Sequence, residues 1–212
     1  MRLILAALGV AVLALPLFAQ DWDLKKDKNG IKIYTKSVPG SSFKAFKGTT
    51  VLNAELRQVI AVIKDVEAYA DWMPNSKRSE ELSHPAETHQ IYYLSTKAPW
   101  PVSDRDGVYE CRIRHDHTSQ TTTVRIQALP DYLPEKKNHV RITRTDGFWR
   151  LKDLGDGRTD VHYEVLAEPG GNIPAWLARS KVVSVPYETL TGLSARVKLA
   201  KYQDQTFTFL KQ

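Results

Sequence analysis

The densest run of side chains able to do chemistry is Asp104-Arg105-Asp106. Two carboxylates this close could divide a proton transfer between them, one as acid and one as base. The arginine between them neutralises the group, so the triplet reads as a structural ion-pair cluster where a strand begins. His115-Asp116-His117 offers two imidazoles at i and i+2, which share a face only on a continuous strand. A metal site needs three or four ligands, and no third is in evident reach. Asp116, Thr118 and Ser119 are turn formers, so this run is expected to join two strands and to hold no metal. Gly170-Gly171-Asn172 could cradle a phosphate on free N–H groups ahead of a helix. Asn172 as an N-cap, with Pro174 in the first turn, explains the same residues more simply. There is no glycine-rich nucleotide loop, no paired CxxC and no G-x-S-x-G elbow, so no cofactor is expected. Cys111 is the only cysteine, which excludes an intramolecular disulfide.

These residues must be carried by regular elements. Residues 30–38 and 43–52 read as strands joined by the turn Pro39-Gly40-Ser41-Ser42. Asn53 is placed to cap a helix whose Leu56, Val59, Ile60 and Ile63 recur at helical spacing to about residue 65. A further turn with Tyr69 and Trp72 should end at Pro74. Strands are expected over about 78–83, 89–97, 107–115, 121–129, 139–151 and 159–167. Two helices, 173–183 and 186–203, should close the chain, with a kink or hinge at Ser184-Val185-Pro186. Strands followed by a long terminal helix predict an α+β fold, an antiparallel sheet with segregated helices.

Alternation tells the two faces of the sheet apart. Tyr109, Cys111 and Ile113 alternate with Glu110, Arg112 and Arg114. Thr122, Val124, Ile126 and Ala128 alternate with Thr123, Arg125 and Gln127, and Val161, Tyr163, Val165 and Ala167 with Asp160, His162, Glu164 and Leu166. One face is apolar in all three. Pro186, Leu190, Leu193, Val197 and Ala200 give the last helix a matching stripe. A sheet closed on such a helix can enclose a filled core, as in a protein-binding module, or a cavity. Periodicity alone does not choose between them, and Trp72, Trp100, Trp149 and Trp176 fit either.

Five stretches do choose. Gly30-Ile31-Lys32-Ile33-Tyr34, Tyr69-Ala70-Asp71-Trp72 and Gly147-Phe148-Trp149-Arg150-Leu151 resemble the StAR-related lipid-transfer (START) domain family. So do Ile91-Tyr92-Tyr93 followed by Pro99 to Asp106, and Glu168 to Leu177, all in the family's order from about residue 22 to 200. The resemblance implies a helix-grip fold, a sheet curved around a long C-terminal helix with a lipid tunnel between them. It implies a ligand such as a sterol, isoprenoid, fatty molecule or phospholipid, held for transport or sensing. Trp72, Tyr93, Trp100, Tyr109, Cys111, Ile113, Val124, Ile126, Trp149, Tyr163, Val165, Trp176, Leu190, Leu193 and Val197 then become wall or lid of the tunnel. Related helix-grip proteins include cyclases and aromatases, but the inward Tyr109, Tyr163, Thr122 and Cys111 are a thin set for acid–base work, so no enzyme is expected. Several eukaryotic members carry a buried arginine where this chain has Cys111. A thiol is a small apolar filler, which favours a ligand without an anionic head.

The N-terminus should not belong to the fold. Arg2, the apolar run Leu3 to Phe18 and the small Ala19 have the layout of a signal peptide over residues 1–19. Residues 20–212 then form one exported domain, periplasmic or extracellular, and a monomer. The net charge of +6 is scattered along strands. It suits transient contact with an anionic membrane surface rather than nucleic acid.

Overall fold

The structure, a computed structural model, describes residues 22–211, and the expected signal segment lies outside them. The chain opens with β1 (Asp23–Lys28), β2 (Ile31–Ser37) and β3 (Lys44–Leu52). Helix α1 (Leu56–Lys64), a 3₁₀ turn over Val66–Ala68 and the short α2 (Tyr69–Trp72) follow. Next come β4 (Ser76–Ala86), β5 (His89–Thr96), β6 (Asp104–Asp116) and β7 (Thr121–Ala128). After β8 (His139–Arg141), β9 (Arg144–Asp153) and β10 (Thr159–Glu168), the chain enters α3 (Ala175–Arg196). The strands form one sheet in the order β1-β2-β3-β10-β9-β7-β6-β5-β4, with β8 beside β6. Every pairing is antiparallel except that of β6 with β8. α3 lies against β2 and β3. This is the α+β helix-grip architecture.

The apolar stripes account for the packing. Leu56, Val59, Ile60 and Ile63 are all buried on α1. Tyr109, Cys111, Ile113, Thr122, Val124, Ile126, Val161, Tyr163 and Val165 are buried on the inner face of the sheet, where Leu190, Leu193 and Val197 meet them. Two glycines set how closely α3 approaches. A Cβ on Gly48 of β3 would stand 2.7 Å from Leu190 Cδ1, and one on Gly192 would stand 2.9 Å from the Trp72 carbonyl oxygen.

Local signals misplace several boundaries. The cap of α1 is Glu55, not Asn53, and its N–H donates to Gln58 Oε1 at 2.7 Å. The cap of α3 is Pro174, not Asn172. α3 runs unbroken through a buried Pro186, so the expected pair of helices with a hinge is one helix. Proline removes one backbone donor, but packing of Leu190 and Leu193 on the sheet holds the axis together. The strand expected over 139–151 is two, because β8 runs parallel to β6 while β9 crosses to pair with β7. No periodic signal in the sequence marks β1. Its Asp-Leu-Lys-Lys-Asp-Lys has no apolar alternation, as suits an exposed edge strand.

Candidate functional site

β6 begins at Asp104, so the acid–base–acid triplet lies on a strand and its three side chains part company. Asp104 accepts from Lys77 Nζ at 2.6 Å and from the Ala98 N–H at 3.0 Å. Asp106 is buried and pairs with buried Arg141, whose Nε reaches Oδ1 at 3.0 Å and Nη2 reaches Oδ2 at 3.1 Å. Arg141 also donates to the carbonyls of Pro130 (2.7 Å), Leu133 (2.8 Å) and Pro134 (3.0 Å). All five of its N–H groups are thereby used, and its pKa is raised chiefly by the hydrogen bond to Asp106.

Arg105 therefore does not form the expected ion pair with its neighbours. Strand alternation turns it to the opposite face from Asp104 and Asp106. Its side chain is held by main-chain oxygens instead: Pro169 O at 3.4 Å from Nε, Gly170 O at 3.2 Å from Nη2, and Ser103 O. The residue is only 5% exposed. Desolvation lowers its pKa, with the nearby Asp104 charge opposing. The loop that grips it turns through Gly170 and Gly171, with φ of 66° and 57°. A Cβ at Gly170 would stand 2.9 Å from the Arg141 carbonyl oxygen, so this approach needs glycine.

Arg105 lines an apolar pocket of about 270 Å³ between the sheet and the first half of α3. Phe43 and Phe46 come from the β3 side, and Thr96, Lys97, Ala98, Pro99 and Val102 from the end of β5 and the loop after it. Ile142, Ala167, Pro169 and Ile173 close one flank. Leu177, Ala178, Lys181, Val182 and Val185 form the helical wall.

The residues expected as tunnel wall sit elsewhere in the grip. Tyr109, Cys111, Ile113, Val124, Ile126, Trp149, Tyr163, Val165, Leu190, Leu193 and Val197 form one packed cluster, with Trp72 against its edge. Aromatic stacking fills this end: Trp149 lies on Tyr163 at 3.8 Å between centroids, and Tyr92 on Tyr109 at 5.3 Å. Burial pushes the Cys111 thiol up to about 12 and raises the hydroxyls of Tyr109 and Tyr163. The open space lies toward the N-terminal end of α3. Tyr93 points the other way from the expected wall. It pairs with Val108 in a second cluster on the outer face, under the Lys136 ammonium at 3.6 Å, and Tyr92 takes the inner position. Trp100 and Trp176 are 93% and 60% exposed, next to pocket-lining Pro99 and Leu177.

The remaining motifs are structural. Asp116 Oδ1 accepts from the N–H of Thr118 at 2.9 Å and of Ser119 at 3.3 Å, which makes the turn between β6 and β7. His115 Nδ1 lies 2.9 Å from Thr122 Oγ1. Among the described residues, no group of three potential metal ligands comes together.

Residues 11–203 match the START domain family. The chain belongs to this family. A START structure from Xanthomonas axonopodis, a STAR-related lipid transfer protein fragment, is 43% identical, with a TM-score of 0.78 over 84% of this chain and 99% of that one. An uncharacterized protein of Pseudomonas aeruginosa is 39% identical over 89% of this chain and 91% of its own length. The phosphatidylcholine transfer protein of Rattus norvegicus is 26% identical over 76% of each. Human STARD10, at 14% identity and a TM-score of 0.73 over 83% of this chain and 72% of that one, shares the START fold.

Sequence reasoning missed Arg105 as a pocket residue, yet its signal was present. Positions 105, 107, 109, 111 and 113 share one face of β6, so carrying the alternation four residues back from Tyr109 puts Arg105 on the inside. Phe43, Phe46, Ala178 and Val182 carried no comparable mark, since alternation gives a face and not a depth along the sheet.

Proposed function

We propose that this chain binds one lipid-class molecule in the pocket between α3 and the sheet, and carries or presents it without chemical turnover. The observation that bears most weight is the apolar pocket in a START chain, under the first half of the gripped helix. The names of the Xanthomonas and rat relatives point the same way. A sterol, isoprenoid, fatty molecule or phospholipid all meet the basic requirement, an apolar body worth about 25 cal/mol per Å² buried. The titratable side chains lining the pocket are Lys97, Arg105 and Lys181. A lining of cationic side chains suits holding a ligand better than acid–base chemistry.

Delivery needs a membrane contact, and the pocket margin offers one. Exposed Trp100 and Trp176 flank it, and Arg179 and Lys97 lie alongside, exposed. Indole rings favour the membrane–water interface, and cations favour anionic head groups. The protein acts as an exported monomer in this reading, and a mature mass starting near Gln20 tests the export. Binding is tested by titrating delipidated protein with a fluorescent fatty or sterol analogue. Saturable one-to-one uptake that Val182→Trp abolishes, by filling the pocket, is the expected result. A folded chain that takes up none of a broad lipid panel overturns the proposal.

A further inference from the structure

The charge lining the pocket is of one sign. Lys97, Arg105 and Lys181 face it, and no Asp or Glu does. None of the three makes a salt bridge among the described residues. Lys181 Nζ donates to the neutral Asn75 Oδ1 at 3.1 Å, and Arg105 donates only to carbonyl oxygens. The carboxylates nearest Arg105 in sequence are turned away and occupied, Asp104 by Lys77 and Asp106 by Arg141. A guanidinium has five N–H donors, and main-chain carbonyls take three of them here. Two remain. A buried cation without a salt-bridge partner is costly, and the protein has fixed this one in place with a glycine turn. An anion arriving with the ligand would remove that cost.

We propose, on the basis of the lipid reading, that the ligand is an amphiphile with an acidic head, a carboxylate or a phosphate monoester, and that Arg105 receives the head. Lys97 and Lys181 add to the field at the same margin. The chain lies against Phe46, Leu177 and Val182. The pocket volume of about 270 Å³ falls just below the range of roughly 300–1,000 Å³ usual for small-molecule sites, which favours a single chain over two. This reverses the expectation drawn from Cys111: the strand lacks an arginine there and supplies one six residues earlier, on the same face.

The test compares ligands that share one alkyl chain. Stearic acid, octadecyl phosphate, methyl stearate and octadecanol are titrated against delipidated protein by displacement of a fluorescent probe, beside inorganic phosphate alone. The acid and the phosphate should bind about tenfold or more tightly than the ester and alcohol, as hydrogen bonds to a charged group allow. Arg105→Met should remove that preference, so that within the variant the acid and the phosphate bind no more tightly than octadecanol. The Arg105 Nη–H resonance should shift with stearate and stay still with octadecanol. Equal affinity for all four chains, or an unmoved resonance, overturns the acidic head while lipid binding stands. Displacement by inorganic phosphate as effective as by octadecyl phosphate also overturns it, by making the site one for free phosphate. If none of the chains binds the folded protein, the lipid reading itself fails. The ligand series and the resonance need no variant, so an Arg105→Met chain that does not fold leaves the test intact.

Discussion

Asp106→Asn should be among the most damaging single-atom changes available in this protein. In the native chain the carboxylate meets Arg141 through two hydrogen bonds of 3.0 and 3.1 Å, with both side chains buried. The amide keeps the shape but presents an N–H₂ to a guanidinium that only donates, and it leaves a buried positive charge unpaired. Breaking one partner of such a pair costs about 3–5 kcal/mol. A domain has only about 5–15 kcal/mol in total, so the midpoint of urea unfolding should fall by roughly a fifth or more. Arg141→Met should cost a similar amount for the opposite reason, a stranded carboxylate, together with the lost donors to Pro130, Leu133 and Pro134. In the double variant Asp106→Asn/Arg141→Met no charge is stranded. Its loss should be smaller than the sum of the singles by roughly 2 kcal/mol or more, in keeping with coupling between contacting groups. The assay is equilibrium urea unfolding followed by tryptophan fluorescence, with the slope checked for constancy across variants. An Asp106→Asn protein within about 1 kcal/mol of the native chain would refute the reasoning, because it would mean that water, not Asp106, compensates Arg141.

Other consequences can be checked separately. With its pKa raised from 9.0 to about 12 by burial, Cys111 should react with a small maleimide at pH 7.5 about 1000-fold more slowly than an accessible thiol, since only the thiolate attacks. Fast labelling of the native protein would place that strand in the wrong register. Gly192→Val should cost about 1–3 kcal/mol in the same urea assay, because its Cβ meets the Trp72 carbonyl oxygen at 2.9 Å; an unchanged midpoint would show that α3 does not approach α2 so closely. Replacing Trp100 and Trp176 together by Ala should weaken sedimentation with anionic vesicles and leave affinity for a soluble lipid analogue unchanged. Equal vesicle binding would remove these two side chains from the membrane contact.

Much of the fold follows from periodicity, and the exceptions have physical causes. Tyr109, Cys111 and Ile113, or Val161, Tyr163 and Val165, alternate because one face of an antiparallel sheet is buried, and the structure buries them. The interrupted strand after residue 138 was not legible, because its break arises from β8 pairing in parallel with a distant strand. The continuity of α3 through Pro186 was hidden for the same reason: local propensity argues for a break, and tertiary packing overrides it. Asp104-Arg105-Asp106 looks self-neutralising when read as a string. On a strand, neighbours face opposite sides: Asp104 meets Lys77, Asp106 meets Arg141, and Arg105 is left to main-chain carbonyls. The place of Tyr93 in its motif points inward, whereas its register opposite Val108 sends it outward. The position of open space along the grip depends on which rings stack, and Trp149 on Tyr163 fills the end where a tunnel was expected.

The central claim is that the pocket beneath the first half of α3 holds a lipid, and native mass spectrometry of the purified protein tests it most directly. The protein is measured as isolated from cells, and again after delipidation and incubation with a mixed lipid extract, beside a Val182→Trp variant shown by circular dichroism to be folded. The account predicts one lipid per chain, released by organic solvent, regained on incubation, and absent from the variant. A folded native chain that stays at its bare polypeptide mass throughout would contradict it, as would a variant that carries the lipid equally well.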